Sequence, residues 1–237
     1  MVFALPTARG AEAAIKWESV ASVGLTLTRG NSENFLATAS INSSRKTDKT
    51  EILLGASAGY GETTSKPPGG PNVTTKTDDY LKAYGQYNYL LTDRWYVGVR
   101  VTDEHDNIAD VDYRVTLSPL VGYYFIKRTN VFLAGEAGPS VVWEKVGGND
   151  RSYIAARLAQ RFEYKFQNGA RIWESLEVLP NVSHFDDWLL NAEVGASAPI
   201  TKSLDIRLVM QDTYDNQPAA GREKNDFKLV AGIGYRF

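Results

Sequence analysis

The chain has 237 residues, 43% of them hydrophobic, and its 26 Lys and Arg are offset by 28 Asp and Glu for a formal charge of −2, a length that allows one large all-β domain or two smaller units. That balance, spread along the whole length, gives no basic footprint for nucleic acid. The absence of cysteine excludes a disulfide framework or thiolate metal site, and no run approaches the roughly 18 apolar residues of a membrane-spanning helix, so any span must be made of strands.

Residues 1–15 open as "MVFALPTARGAEAA", with a short apolar patch from Val2 to Leu5 and a cluster of small residues. The stretch resembles the tail of a secretory signal without its full charged and apolar leader, and is read as a remnant or flexible start. From Lys16 onward, segments with apolar residues at every second position recur to the end of the chain. They predict about twelve long strands, at 16–28, 34–46, 50–62, 78–91, 94–105, 111–126, 130–145, 151–166, 170–183, 187–200, 203–215 and 225–237. No linker interrupts them, so 16–237 reads as one domain. Strand content this high is unusual for an ordinary globular domain and is what a closed barrel requires.

The connections alternate in length. "TDK" (47–49), "TDR" (92–94), "KRTN" (127–130), "QNG" (167–169) and "TKS" (201–203) are tight turns. "RGNSE" (29–33), the stretch 62–79, "EHDNIAD" (104–110), "KVGGND" (145–150), "SHFDD" (183–187) and 214–225 are mostly longer. Short connections on one rim and long ones on the other, with both ends of the barrel on the short-turn rim, match a bacterial outer-membrane barrel with periplasmic turns and extracellular loops.

Periodicity alone does not say whether the apolar face points to a core or to lipid. Strands of this length suit a tilted path through an apolar band of about 25 Å. Aromatic residues crowd strand ends (Trp17, Tyr60, Trp95, Tyr123, Phe125, Trp143, Tyr164, Phe166, Trp188, Tyr235 and Phe237), as in the girdles at lipid headgroups. Twelve strands also enclose more space than apolar side chains fill. With the apolar face outward, Val23, Leu25, Leu27, Ile52, Leu54, Val97, Val99, Val101, Leu204, Ile206, Leu208 and Met210 meet lipid. The lumen then takes the acids Glu18, Glu51, Asp112, Glu136, Glu163, Glu177, Glu193, Asp205 and Asp226 and the bases Lys82, Arg100, Arg114, Arg157, Arg161, Lys165, Arg207, Lys228 and Arg236, interleaved with glycines. Two features strain the scheme. Pro119 and Pro139 fall inside strands, where bulges are expected, and Glu174 lands on the outward face, tolerable only near a rim.

The blocks "RGNSE" (29–33), "TDRWY" (92–96), "DYRVTLSPLVGYYF" (112–125), "AGPSVVWEK" (137–145), "SHFDDWLLNAEVG" (183–195) and the tail 214–237 resemble a bacterial family of salt-induced outer-membrane proteins, a domain of unknown function. The resemblance covers the chain from about residue 22 and implies a single outer-membrane β-barrel. It also implies that the terminal aromatics, Tyr235 and Phe237, serve as the signal read by the barrel-assembly machinery. It brings no catalytic residues.

Catalysis is weighed and set aside. His105 and His184, the two histidines, are expected in extracellular loops, and adjacent residues such as Ser183 and His184 point apart on a strand, so they make no simple dyad. The acids Asp103, Glu104, Asp106, Asp110, Asp186 and Asp187 lack the spacing of a calcium loop, and "PPGGP" (67–71) lacks the lysine and helix of a phosphate cradle. The lumen charges support two readings. Unpaired rings would select ions, whereas mixed charges could bond across the interior and plug it. Arg100, Arg114, Arg157, Arg161 and Arg207 are candidates for such a paired core.

The sequence therefore predicts a non-enzymatic, cofactor-free and metal-free barrel in the bacterial outer membrane, either a small weakly selective pore or a structural envelope protein. Its partners are outer-membrane lipids, the assembly machinery and small solutes. An outer-membrane lipid hydrolase with a site at the extracellular rim, and a soluble ligand-binding barrel, are the rival readings.

Overall fold

In the computed structural model, which describes residues 17–28, 32–65, 67 and 70–237, twelve antiparallel strands close on themselves. They are β1 (Trp17–Thr28), β2 (Ser32–Lys46), β3 (Thr50–Ser65), β4 (Val73–Leu90), β5 (Trp95–Asp106), β6 (Val111–Lys127), β7 (Val131–Val146), β8 (Asn149–Lys165), β9 (Arg171–Pro180), β10 (Trp188–Pro199), β11 (Leu204–Asp215) and β12 (Asn225–Arg236). Each pairs with its sequence neighbours, and β1 closes on β12. Residues 1–15, the first half of "RGNSE" and Pro68 and Gly69 of "PPGGP" lie outside the described residues.

The expected strands match the observed ones in number and order. They differ most where the turn chemistry was misread. The stretch 62–79 is mostly strand, because its threonines favour extended backbone, and the register shifts between Gly61 and Glu62 as the hairpin lengthens. "KVGGND" is no loop but a two-residue hairpin, with Gly147 and Gly148 both at positive φ (57° and 77°), the conformation the tightest hairpin turns require. β9 stops at Pro180, which has no N–H to continue the ladder, and a loop of 181–187 follows.

The prolines correct another expectation. Pro119 and Pro139 cause no bulge. The β6–β7 pairs run from Leu117↔Val141 to Val121↔Ala137 in one unchanged register, which sets the two prolines opposite each other with the ladder simply interrupted around them. A Ser118–Ser140 hydroxyl bond of 2.6 Å on the lumen side links the strands there. The register shifts of this seam fall near its ends instead, at Val111/Tyr113 and Tyr124/Ile126.

The two faces of the wall separate as the alternation requires. Leu25, Val99, Leu208 and Ile233 are exposed on the outside, while Glu136, Glu144 and Arg157 are almost wholly buried inside. The aromatic residues at strand ends form bands at both rims. At the turn rim, Trp95 packs on Tyr123 (4.7 Å between centroids), Tyr123 on Phe125 (5.1 Å) and Tyr164 on Phe166 (4.7 Å); at the loop rim Trp188 stacks on Tyr214 (4.7 Å). Outward-facing Glu174 accepts a bond from Gln160 Nε2 (2.9 Å) on the neighbouring strand.

The lumen is filled unevenly. On β4–β10 its lining is large and buried, including two small apolar clusters. Leu90, Tyr96, Leu120, Tyr124 and Ala134 pack with Phe132, and Val142, Ala155, Leu179 and Leu189 pack with Tyr153. Along the middle of β12, β1, β2 and β3, between Lys228 on the loop side and Arg236 and Glu51 on the turn side, much of the lining is small: Ser22, Gly24, Thr26, Thr38, Ser40, Gly55, Ser57, Val230 and Gly232, all of them partly accessible.

Candidate functional site: the lumen network

Alternation puts every second side chain of a strand on the interior, charged ones among them, and a tilted wall brings residues of non-adjacent strands to the same height. The charges therefore meet across the lumen. Glu136 on β7 is the central acceptor. Its Oε1 takes bonds from Gln86 Nε2 on β4 (2.8 Å), Tyr96 Oη on β5 (2.8 Å) and Arg161 Nη2 on β8 (3.2 Å), and its Oε2 takes Arg157 Nη1 (2.9 Å). A carboxylate with about four acceptor sites is thus saturated. Glu51 on β3 accepts from Asn88 Nδ2 (2.9 Å) and Tyr124 Oη (3.0 Å) and faces Arg161 at 3.8 Å, tying β3 to β6 and β8. Arg157 also donates to Glu177, which lies 3.7 Å from Arg100; the Arg100 guanidinium sits 4.3 Å from the Tyr84 ring centre.

Toward the loop rim, Arg114 holds Glu144 and Asp215 (2.8 Å) and faces Glu104 (3.6 Å), so β6 is bridged to β11 across the opening. Lys82 meets Glu104 at 2.8 Å, and Lys228 on β12 reaches Asp78 on β4 at 3.0 Å. Arg151 pairs with Glu144 and with Asp187 (2.8 Å). Above these bridges the β11–β12 loop leans inward: Ala219 is buried, and a Cβ on Gly147 would lie 3.2 Å from its methyl group.

Toward the turn rim the balance shifts to base. Asp205 holds Arg207 and Arg236 (2.9 Å), and Glu163 holds Lys165 (3.1 Å) and faces Arg171 (3.6 Å). Trp173 lies between these groups, with the guanidinium carbons of Arg171 and Arg207 at 5.1 and 5.8 Å from its ring, and donates its indole N–H to Glu193 (2.7 Å), which also accepts from Gln211 (2.9 Å).

Eleven of the twelve charged residues singled out in the sequence, Lys82, Arg100, Arg114, Glu136, Arg157, Arg161, Glu163, Glu177, Glu193, Asp205 and Arg207, sit in this interior. Asp112 is the exception and is corrected. The register shift between Val111 and Tyr113 breaks the alternation, and Asp112 stands exposed at the rim, 3.0 Å from outward-facing Lys145. Glu104 and Asp106, read as loop acids, are lumen residues because β5 runs to Asp106; His105 between them is on the outer face at the strand end rather than in a loop, with Nδ1 2.8 Å from the Asp112 carbonyl. Asp106 caps the turn, accepting from the N–H groups of Ile108 (2.9 Å) and Ala109 (3.0 Å). Glu144 was legible and missed, since it shares the parity of Glu136. Asp78, Asp187 and Asp215 sit at strand ends that were also counted with the loops, and the neutral donors Gln86, Asn88, Tyr96, Tyr124 and Trp173 carry no charge to mark them.

In the β9–β10 loop, Ser183 and His184 are both exposed, and their backbone amides bond to Asn181 (3.0 and 3.3 Å). They border a surface cavity of about 520 Å³ with Ile154, Val182 and Asp186. Tyr235 and Phe237 stack 5.9 Å apart on the outside, and Phe237 closes the β1–β12 seam through reciprocal backbone bonds with Ser19 (3.1 and 3.0 Å).

The chain belongs to the family described as "Protein of unknown function, DUF481", whose model matches residues 21–237. No curated protein sequence matches it significantly. Similar solved structures include the NanC porin (10% identity, 93% of this chain and 100% of that one, TM-score 0.55). They also include the KdgM porin (10%, 92% and 99%, 0.49) and the translocator domain of the autotransporter NalP from Neisseria meningitidis (15%, 96% and 90%, 0.48). At such identities the likeness is one of fold, and the fold is that of a bacterial outer-membrane β-barrel in a lipid environment.

Proposed function

We propose that this barrel is a narrow, weakly selective pore for small hydrophilic solutes, with the conducting path confined to the wall formed by β12, β1, β2 and β3. The observation that carries the reading is the unequal lining. Ser22, Thr26, Thr38, Ser40 and Ser57 leave accessible hydroxyl-rich surface on one side, while most of the paired charges lie on the other. A path lined by hydroxyls and paired charges presents neither a net field nor a greasy barrier, so discrimination between anions and cations is weak. Single-channel recording in planar bilayers tests this. Small, steady currents with a reversal potential near zero in a salt gradient are expected, and silence from folded protein overturns the pore.

A second reading, a structural envelope barrel, draws on the bridges that cross the lumen, Arg114 to Asp215 and Lys228 to Asp78. Silence in the same recordings would favour it. In both readings the protein has no catalytic duty: Ser183 and His184 face solvent at the rim, and the buried carboxylates are held by arginines rather than poised for proton transfer. Lipid hydrolysis, tested by incubating the protein with outer-membrane lipids, should release no fatty acid. Tyr235 and Phe237, at the closing seam, fit the role of a signal for the assembly machinery.

A further inference from the structure

The registers of four seams set several turn-rim charges in one row. Lys165 pairs with Arg171, Arg171 with Ser197 and Ser197 with Arg207. Arg207 pairs with Gly232, which meets Gly24 in the last pair of the β1–β12 seam. Three bases and a hydroxyl therefore stand side by side on the lumen face of β8–β11, and the row runs on into the small-residue wall. The acids that serve it come from neighbouring rows, and each is shared. Glu163 serves Lys165 (3.1 Å) and Arg171 (3.6 Å), while Asp205 serves Arg207 and Arg236 (2.9 Å). No other carboxylate comes within 4.0 Å of these four bases among the described residues. Two acids against four bases leave two positive charges uncompensated in this part of the mouth.

Arg171 is the member left without a hydrogen bond. Its Nε is buried with no acceptor, and the nearest carboxylate oxygen, on Glu163, lies 3.6 Å from Nη1, beyond hydrogen-bond reach. By contrast, Arg100, Arg114, Arg157, Arg161, Arg207 and Arg236 each donate at least one bond to a side chain. A guanidinium carries five N–H donors in a fixed fork, and leaving them unmet away from bulk water is unfavourable. Trp173 walls the place on the loop side, 5.1 Å from the Arg171 guanidinium carbon and 5.8 Å from that of Arg207. Ser197, between the two arginines, is almost wholly buried, and its hydroxyl bonds no protein group among the described residues.

We propose that Arg171, Ser197 and Arg207 form a binding site for a doubly charged, phosphate-type oxyanion. Such a ion matches both what the arginine lacks and what the charge count lacks. The free Arg171 fork takes two of its oxygens, the Ser197 hydroxyl donates to a third, and its two negative charges offset the local excess. Chloride brings one charge and no geometry for the fork, so it competes poorly. Lys165 ends β8 and Arg171 begins β9, so the site lies at the turn-rim mouth. It fills from there whether or not solute crosses the barrel, and in that respect goes beyond the pore reading. An excess confined to one mouth leaves the rest of the path without a net field.

The test is calorimetric titration of inorganic phosphate into the folded protein in detergent, in chloride buffer at about pH 8, where the phosphate dianion prevails. One phosphate per chain is expected, displaced by sulfate. Arg171→Gln should weaken binding at least tenfold and still fold, because that side chain holds no hydrogen bond to lose. Ser197→Ala should weaken it by a smaller factor. Arg222→Gln, which removes an exposed arginine from the β11–β12 loop at the far rim, should bind phosphate as the wild type does. Absence of binding to the folded wild type overturns the site. So do equal losses in Arg171→Gln and Arg222→Gln, which would mean that only total charge counts. Phosphate added on the turn side in planar bilayers separates the site from the pore. Silent membranes with calorimetric binding strike the pore alone, and steady current with no binding strikes the site alone.

Discussion

The indole of Trp173 lies flat across Gly195, its partner on β10, so closely that a Cβ at that position would stand 2.0 Å from the ring. The same relationship recurs between Tyr84 and Gly55, Tyr80 and Gly59, and Tyr96 and Gly122, each a register pair across a seam. Glycine in a strand interior is otherwise unfavourable; here it makes room for a ring to lie along the wall and leave the lumen centre to the ion pairs. Replacing Gly195 with Val should force the indole off its seat and break its bond to Glu193, at an overpacking cost of about 1–3 kcal/mol. The measurement is the denaturant midpoint of the folded, heat-modifiable band in detergent, and an unchanged midpoint would refute the packing.

Arg157, almost wholly buried, joins Glu136 and Glu177. Arg157→Met leaves three acids, Glu51, Glu136 and Glu177, to two bases, Arg100 and Arg161, and should cost about 3–5 kcal/mol, the range seen when one partner of a buried pair is removed. Adding Glu136→Gln, which keeps Arg161 beside Glu51 and Arg100 beside Glu177, should recover part of the loss, because the excess negative charge is then gone. A double variant no more stable than the single one would mean that packing, not charge, governs this site.

At the turn rim, Arg171, Arg207 and Arg236 outnumber the acids that hold them. Changing Arg171 and Arg236 to Gln leaves the Arg207–Asp205 pair in place and removes positive charge from that mouth. If the lumen conducts, the reversal potential in a salt gradient should shift toward cation preference. A shift toward anions would place the path elsewhere.

Ser40 and Ser57 face each other on the small-residue wall. Ser40→Trp should narrow the proposed path and lower conductance with little change in stability, since the space beside it is open. The counterpart Ser118→Trp, on the filled wall, should destabilise the barrel instead. Equal conductance of Ser40→Trp and wild type would remove that wall from the path.

Deleting Phe237 removes the residue that bonds Ser19 and opens the first rung of the closing seam. Assembly into the outer membrane should slow, read as accumulation of the unfolded band in pulse-labelled cells. Refolding of the purified chain in detergent should be less affected if the residue acts mainly as a recognition signal.

The period-two pattern of the chain was sufficient to give twelve strands, their order and which side chains share a face, because alternation is a local property that survives every tertiary arrangement of the strands. Parity sets Leu25, Val99 and Leu208 on one face and Arg157 and Glu136 on the other; strand length, the aromatic strand ends and the volume twelve strands enclose made the apolar face the outer one. Parity failed where it was itself broken, at the register shift beside Asp112, and strand-end residues went unread where they were counted with the loops, at Glu104, Asp106 and Asp215. What only the closed barrel decided is which interior residues meet. Arg114 and Asp215 are 101 residues apart in the chain, and their contact depends on strand tilt, on the register of each seam between them and on the height at which each side chain enters the lumen. The same holds for the pairing of ring with glycine and for the seam that ends at Gly24 and Gly232. These are distances across a curved wall, set by the sum of all the registers around it, and no single segment of sequence contains that sum.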